Sequence, residues 1–179
     1  MLVYGTRYSE RLDGGSSADR IYGYGGNDYI VGWGGNDRLV GGTGRDTLWG
    51  ERGVDILHGG RGVDLMYGGA GADAFVFDTR PPTGVTEMDV IADFSRRERD
   101  MIAMDNNLYP NLGADGWLES YRFKVVGYGG TLDANDRLVY NARNGVLAYD
   151  WNGWAEGGRV VLARLDGAPT LTAADIFIL

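Results

Sequence analysis

Aspartates recur every nine residues through the first half of this chain, and a regular row of carboxylates is suited to binding cations. An apolar side chain follows each of these aspartates by two positions, a glycine precedes each by five, and a second glycine precedes each by two except at Ser17. The seven aspartates are Asp19, Asp28, Asp37, Asp46, Asp55, Asp64 and Asp73. Seven copies in phase predict a repeat architecture, whereas one or two copies would be ordinary turn residues.

Each nine-residue unit predicts one loop and one short strand. In the unit Gly41–Trp49, numbered from its first glycine, Asp46 is position six and Leu48 is position eight. The glycine-rich first six positions allow the positive φ values of tight turns, and the last three predict a brief strand. Two units then form a coil of eighteen residues. Coils stacked at about 4.8 Å would build two parallel sheets, with the position-eight side chains facing between them.

Because each coil holds two loops, the aspartates fall into two columns. Asp19, Asp37, Asp55 and Asp73 form one column, and Asp28, Asp46 and Asp64 form the other. Carboxylates only about 5 Å apart repel one another unless cations lie between them. Carboxylate and carbonyl oxygens are the ligands of Ca²⁺, whereas Mg²⁺ prefers a tighter octahedron that retains water. The sequence therefore predicts calcium.

The units Gly41–Trp49 and Gly68–Val76 resemble the glycine-rich nonapeptide repeat of RTX (repeats-in-toxin) proteins. The resemblance implies an all-β fold, a right-handed parallel β-roll of calcium-binding nonapeptide repeats with a C-terminal β-rich capping region. It also implies that each ion lies between neighbouring loops of one column, held by position-six carboxylates and by backbone carbonyls. The implied carbonyl donors, at positions one and three, are Gly14, Ser16, Gly23, Gly25, Gly32, Gly34, Gly41, Thr43, Gly50, Arg52, Gly59, Arg61, Gly68 and Ala70.

A degenerate unit at residues 5–13 carries Glu10 at position six, which places it in the column of Asp28. Residues 1–13 are therefore predicted to cap the roll. The loops of the regular units leave five full gaps, and Glu10 would close a sixth, weaker site. We expect about five to six calcium ions.

The nonapeptide stops at Asp78, and Pro81-Pro82 marks a break, so we predict a roll at residues 1–77 and a C-terminal cap at residues 78–179. Short β-type runs are predicted at Val85–Phe94, Tyr121–Val126, Arg137–Asn141, Gly145–Trp151, Arg159–Leu165 and Ile176–Leu179. The segments Ala74–Phe77, Asp89–Phe94 and Asp100–Ile102 resemble the end of serralysin-type RTX domains. That resemblance implies Asp89 and Asp100 as further calcium ligands; the alternative is that they are solvated turn carboxylates.

Other kinds of site find little support. The chain has no cysteine and a single histidine, His58, which we expect on a strand surface. Its net charge of −8 argues against a general nucleic-acid binder. Asp150-Trp151-Asn152-Gly153 resembles the start of an EF-hand loop, but Val161 stands where the bidentate glutamate belongs.

No cleavable secretory signal, membrane-spanning apolar run or catalytic motif is visible, so we predict a soluble, noncatalytic chain.

We therefore predict a calcium-binding module that folds after type I secretion and stabilises a secreted, extracellular protein. The end of the chain, Asp175–Leu179, resembles the termini of type I secretion substrates and is equally compatible with a final core strand. The alternative function is a noncatalytic module that binds an alginate-like polysaccharide, because Tyr24, Trp33, Trp49 and Tyr67 are predicted to face outward.

Overall fold

The fold is all-β. The computed structural model describes residues 1–79, 88–127, 133–152 and 158–179, and within them the only helical segments are single 3-10 turns at Ser120–Arg122 and Ala173–Asp175. In those same ranges no helix is long and apolar enough to cross a membrane.

Two largely parallel sheets run the length of the molecule. The first sheet contains, in spatial order, β1 (Leu2–Tyr4), β3 (Arg20–Gly25), β5 (Arg38–Gly44), β7 (Ile56–Gly62), β9 (Ala74–Phe77), β11 (Met101–Met104), β17 (Ile176–Ile178) and β12 (Gly116–Trp117). The second contains, also in spatial order, β2 (Arg11–Gly15), β4 (Tyr29–Trp33), β6 (Thr47–Arg52), β8 (Leu65–Ala70), β10 (Asp89–Ile91), β16 (Arg159–Leu165), β15 (Val146–Asp150), β14 (Leu138–Asn141) and β13 (Phe123–Val126). Successive repeat units alternate between the sheets, which confirms the β-roll.

The register of neighbouring strands is eighteen residues. Ile21 lies opposite Leu39, and Leu39 lies opposite Leu57, in the parallel pairs of the first sheet. Ile30 lies opposite Leu48 in the second sheet. Two nine-residue units therefore form one coil, as the repeat predicts.

The position-eight side chains form the core of the roll between the two sheets. All seven have no exposed surface: Ile21, Ile30, Leu39, Leu48, Leu57, Met66 and Phe75. Burying each such side chain contributes about 1.5–3 kcal/mol. The nine-residue spacing is thus the spacing of the core as well as of the carboxylates.

The strands of the regular repeats are longer than predicted. They have five to seven residues rather than three. The reason is that loop positions one to three also pair between coils, for example Thr43 with Arg61. Positive φ is concentrated at position two, as at Gly42, and at position four, as at Gly44.

Both sheets continue beyond residue 77. In the second sheet β10 pairs with β8 on one side and β16 on the other, and in the first sheet β11 lies between β9 and β17. One hydrophobic cluster includes side chains from both halves of the chain. The sheets and the core are therefore continuous at residue 77, and the division of the chain there remains a prediction.

The C-terminal strand predictions are met in the described residues by β10 and β13 to β17, whereas β11 and β12 were not among the predicted runs. Pro81-Pro82 and the start of the run Val85–Phe94 lie outside the described residues.

Candidate metal centre

Backbone amides link the position-six carboxylates into two columns. The N–H of Asp28 donates to Asp46 Oδ1 at 2.8 Å, and the N–H of Asp46 donates to Asp64 Oδ1 at 2.9 Å. In the other column, Asp37 donates to Asp55 Oδ1 at 2.7 Å and Asp55 donates to Asp73 Oδ1 at 2.9 Å. Each of these carboxylates therefore uses one oxygen to fix the coil before it.

The second oxygen of these carboxylates is buried and has no hydrogen-bond partner. This holds for Oδ2 of six residues: Asp28, Asp37, Asp46, Asp55, Asp64 and Asp73. A buried polar atom left unpaired costs about 1–3 kcal/mol, and more when it is charged. Six such atoms in regular positions indicate that a cation completes the site.

A backbone carbonyl from the next coil lies beside four of the six orphaned oxygens, Oδ2 of Asp28, Asp37, Asp46 and Asp55. A Cβ added to Gly50 would be 2.5 Å from Asp55 Oδ2 and also 2.5 Å from the carbonyl oxygen of Gly68. A Cβ on the other position-one glycines between residues 5 and 50 would likewise meet its own position-six carboxylate and the next coil's position-one carbonyl. These glycines are Gly5, Gly14, Gly23, Gly32 and Gly41.

This arrangement explains why position one is glycine. Among the position-one glycines of the repeats, none has a positive φ, so the restriction is spatial rather than conformational. The space that a side chain would fill is lined by one carboxylate oxygen and one carbonyl oxygen, which are hard donors suited to Ca²⁺. The residues present therefore fit calcium.

At the C-terminal end of the roll, Gly59 and Gly68 lie beside a position-six carboxylate but not beside a position-one carbonyl. A Cβ on Gly59 would lie 2.5 Å from Asp64 Oδ2, and one on Gly68 would lie 2.6 Å from Asp73 Oδ2. No position-one carbonyl of a further regular coil is among their nearest neighbours, because the nonapeptide ends there. The last loop in each column therefore meets the C-terminal region instead of another repeat.

Two of the predicted position-three carbonyls accept backbone hydrogen bonds between coils, unlike the position-one carbonyls, which lie beside the carboxylates. The carbonyls of Arg52 and Ala70 accept hydrogen bonds from the N–H groups of Gly35 at 2.9 Å and Gly53 at 3.0 Å. A carbonyl has two lone pairs, so each keeps one for a further contact. The remaining predicted position-three donors lie at the same point of their loops: Ser16, Gly25, Gly34, Thr43 and Arg61. Their role as ligands remains a prediction.

Glu10 begins the column of Asp28. Its N–H donates to Asp28 Oδ1 at 2.9 Å, in the same way that the aspartates do. Its Oε2 accepts the N–H of Thr6 at 2.5 Å, so this oxygen already has a partner. The degenerate first unit thus makes the same backbone contact as the regular units, but one oxygen of its carboxylate is already hydrogen-bonded and is less available to an ion.

Asp89 and Asp100 extend the two columns beyond the last repeat. Asp64 N–H donates to Asp89 Oδ1 at 2.9 Å, and Asp73 N–H donates to Asp100 Oδ1 at 3.0 Å. The structure thus brings both to the places that the next position-six residues would take. Whether they bind calcium remains a prediction.

Asp93 is a residue of the site that the repeat pattern missed. Its two carboxylate oxygens accept the N–H groups of Gly68 and Gly69, each at 2.9 Å. The carboxylate of Asp93 therefore covers the start of the last repeat loop. It stands outside the nine-residue spacing, so periodicity gives no signal for it.

Burial raises the pKa of the column carboxylates. It raises the pKa of Asp46, Asp55, Asp64 and Asp89 to about 7 and that of Asp100 to about 6. The pKa values of Asp28, Asp37 and Asp73 are also raised, chiefly by burial. Neighbouring carboxylates add to the increase at Asp46 and Asp55. The charged form is thus disfavoured unless a cation is near.

Asp19 behaves differently from the other column members. The N-terminal ammonium of Met1 contacts its Oδ1, and this hydrogen bond is the main reason that the pKa of Asp19 is lowered. A cation beside a column carboxylate therefore reverses the direction of its pKa shift.

Side chains alone do not form the site. Across residues 1–79, 88–127, 133–152 and 158–179, no three His, Cys, Asp or Glu side chains converge as a metal cluster. The position-one carbonyls beside the carboxylates are the further oxygens that the regular loops offer.

The prediction for His58 was wrong. His58 is 5% exposed rather than on the surface, and its Nδ1 lies 2.8 Å from Asp78 Oδ2. In the EF-hand alternative, Asp150 is 1% exposed, lies in β15 and accepts a hydrogen bond from Arg159 Nε at 3.2 Å. Gly153 of that motif lies outside the described residues.

Comparison with known proteins identifies the repeat. The family model of the RTX calcium-binding nonapeptide repeat (4 copies) matches residues 4–39, 32–66 and 40–75. A similar solved structure is the AlgE6R3 subunit from the Azotobacter vinelandii mannuronan C5-epimerase, at 26% identity and a TM-score of 0.48, covering 96% of this chain and 79% of that one. The search of curated proteins found no match. Residues 4–75 of this chain therefore match the RTX calcium-binding nonapeptide repeat.

Proposed function

We propose that this chain is a calcium-dependent folding module whose roll is completed by ions bound in the two carboxylate columns. The repeats are calcium-binding RTX repeats, and the roll that they form is a noncatalytic structural element. The observation that carries the proposal is the set of six buried Oδ2 atoms without partners. Six carboxylate–carbonyl pairs, beginning at Glu10, Asp19, Asp28, Asp37, Asp46 and Asp55, support five full sites and a weaker sixth at Glu10.

The mechanism is linkage between ion binding and folding. The carboxylates and carbonyls of one site come from neighbouring coils, so an unfolded chain cannot present them together, and calcium stabilises the folded state. Extracellular calcium modules bind with Kd values on the order of 10⁻⁴–10⁻³ M. At ten times Kd each site would add about 1.4 kcal/mol. Several sites then approach the total stability of a typical domain, about 5–15 kcal/mol.

The same linkage supports a role in secretion. Calcium-poor cytosol would keep the chain unfolded for export by a type I apparatus, and calcium outside the cell would fold it. RTX repeats are typical of secreted proteins, and we propose that this chain stabilises a secreted protein and has no catalytic activity. A direct check is export of the chain from cells with and without a type I apparatus, together with assays for casein or ester hydrolysis.

The central test is calcium titration followed by circular dichroism. We expect the β signal to increase with calcium and to decrease with EDTA. Asp46→Asn should shift the titration midpoint to higher calcium, whereas Asp115→Asn, an exposed aspartate outside the columns, should leave it unchanged. An identical spectrum with calcium and with EDTA would refute the coupling of binding to folding.

Polysaccharide binding is the second candidate function, and exposed aromatic rings favour it. Tyr24 and Trp33 are 57% and 51% exposed. Trp49 and Tyr67 are instead half-buried and stacked on each other with ring centroids 3.7 Å apart. Two of the four predicted aromatics therefore remain available to a sugar ring. Glycan binding at fixed calcium that is lost in Tyr24→Ala would support this function.

A further inference from the structure

Two arginines lie side by side on the outer face of the first sheet. The position-seven row of β1, β3, β5 and β7 places Leu2 opposite Arg20, Arg20 opposite Arg38, and Arg38 opposite Ile56. Directly neighbouring like charges destabilise a sheet. A row of alternating charges, or of apolar side chains, would avoid this repulsion. The presence of two neighbouring arginines in this row therefore calls for an explanation.

No carboxylate neutralises this pair at short range. In the part of the chain that the structure describes, neither guanidinium has an ion-pair partner within 4.0 Å. The nearby aspartates are bonded to backbone: Asp37 Oδ1 accepts Asp19 N–H at 2.8 Å, and Asp19 Oδ2 accepts Gly15 N–H at 2.6 Å. Asp78, which Arg38 influences, lies 2.8 Å from His58 Nδ1. These carboxylates are therefore held by other groups rather than by Arg20 or Arg38.

The two arginines line a groove large enough for a small molecule. Its volume is about 560 Å³, and its wall also contains Met1, Leu2, Ala18, Asp19, Asn36, Asp37, Val54 and Ile56. Leu2, Val54 and Ile56 are 53%, 51% and 37% exposed, respectively. Ligand sites usually occupy about 300–1,000 Å³ and combine apolar walls with a few polar groups. The groove has this size and this composition.

We propose that this groove, the Arg20–Arg38 groove, binds a small amphipathic anion. Its sulfate, phosphate or carboxylate group bridges the two guanidinium groups, and its short alkyl or aryl part contacts Leu2, Val54 and Ile56. Charge-assisted hydrogen bonds from guanidinium to such oxygens are among the strongest in proteins. The bound anion also removes the repulsion between Arg20 and Arg38. The groove adjoins the first carboxylate column, because Asp19 and Asp37 also line it, so binding is tested with the columns saturated with calcium.

Isothermal titration of the full chain in saturating calcium tests the proposal, with hexyl sulfate as the probe. We expect saturable binding of one hexyl sulfate, weaker binding of inorganic sulfate and no binding of hexanol. Arg20→Gln and Arg38→Gln should each weaken hexyl sulfate by about tenfold or more, which corresponds to about 1.4 kcal/mol. Arg97→Gln, an exposed arginine in a different loop, is the matched control and should bind like the original chain.

Two further measurements protect the test against misfolded variants and unspecific binding. Arg38→Lys keeps the charge and should retain part of the affinity, and Ile56→Ala should weaken hexyl sulfate but not inorganic sulfate. Equal affinity in Arg38→Gln and Arg97→Gln, or hexanol binding as well as hexyl sulfate, would overturn the proposal. Binding to phosphatidylglycerol vesicles without saturable binding of hexyl sulfate would also overturn it, because a membrane surface would then be the partner.

Discussion

The repeat region and the C-terminal region satisfy their buried polar groups in different ways. In the described residues, ten buried side-chain nitrogen or oxygen atoms have no partner, and eight of them lie between Asp28 and Asp73. In the C-terminal region, by contrast, Tyr140 OH donates to the Pro169 carbonyl at 2.7 Å, and Asp175 accepts hydrogen bonds from Arg96 and Thr172. The unpartnered oxygens thus all lie in the regular repeats, whereas the two unpartnered atoms of the C-terminal region are nitrogens, Nε and Nη1 of Arg137.

The largest expected effect is that calcium removal unfolds the repeats more than the C-terminal region. In EDTA the column carboxylates repel, so amides in β4–β7 should exchange hydrogen as fast as in an unfolded chain. Amides in β14–β16, whose strands pair antiparallel, should keep part of their protection. Hydrogen-exchange mass spectrometry of the full chain measures both regions at once. Uniform loss of protection would mean that the C-terminal region depends on the ions equally.

A core substitution should destabilise the calcium-bound roll. Leu48 has no exposed surface, and Leu48→Ala should cost about 2–5 kcal/mol of unfolding free energy through lost burial and a cavity. In calcium this lowers the denaturant midpoint, whereas without calcium, where β6 is expected to be unfolded, the substitution should change little. An unchanged denaturant midpoint in calcium would mean that ion binding rather than the apolar core dominates the stability of the roll.

Filling the space at position one should remove one ion site with little other damage. In Gly50→Ala the new methyl would meet Asp55 Oδ2 and the Gly68 carbonyl at 2.5 Å, so we expect a calcium midpoint raised about tenfold. Gly34→Ala is the control because its added Cβ would lie 3.9 Å from the nearest heavy atom outside its chain neighbours. Equal midpoints in these two variants, measured by calcium titration, would contradict the proposed ligand geometry.

The metal-free roll should lose stability as pH rises from about 4 to 7. Folding raises the pKa of Asp46, Asp55 and Asp64 from 3.8 to about 7, so the folded state binds more protons in this range. This contribution is complete below the unfolded pKa and is lost as pH rises through the folded pKa. Calcium affinity should change in the opposite direction, because the ligands must be deprotonated. Circular dichroism in metal-free buffer at pH 4, 5.5 and 7 measures the trend, and the strongest β signal is expected at pH 4.

We expect the smallest change in unfolding free energy when an exposed ion pair of the C-terminal region is removed. Arg164 Nε lies 2.9 Å from Asp166 Oδ1, and the two side chains are 49% and 45% exposed. Arg164→Gln should change the unfolding free energy by less than about 1 kcal/mol, with or without calcium. A clear calcium-dependent effect of this substitution would show that the two regions are more strongly coupled than their polar contacts indicate.

Periodicity predicted the parts of the fold that repeat. The positions of Ile21 and Asp28 within their units were enough to assign the core and the columns, because every coil obeys the same register. Contacts between coils were harder to predict: the strands extend into the loops, and Gly50 is required by space rather than by φ.

Residues outside the repeat gave no such signal. Asp93 binds two loop amides, and His58 is buried beside Asp78, through contacts between segments about twenty residues or more apart. Strand β11 was also missed, since no spacing in the sequence relates it to β9.

The eighteen-residue register also determines which changes of length the molecule tolerates. Removing residues 29–46 would delete one whole coil, and every later strand would stay in its own sheet with one fewer gap in each column. Removing only residues 38–46 would transfer every later strand to the opposite sheet, so the end of the last repeat would present the wrong edges to β10 and β11. Natural or engineered length variants of this roll should therefore differ by whole coils, and single-unit deletions should fail to fold.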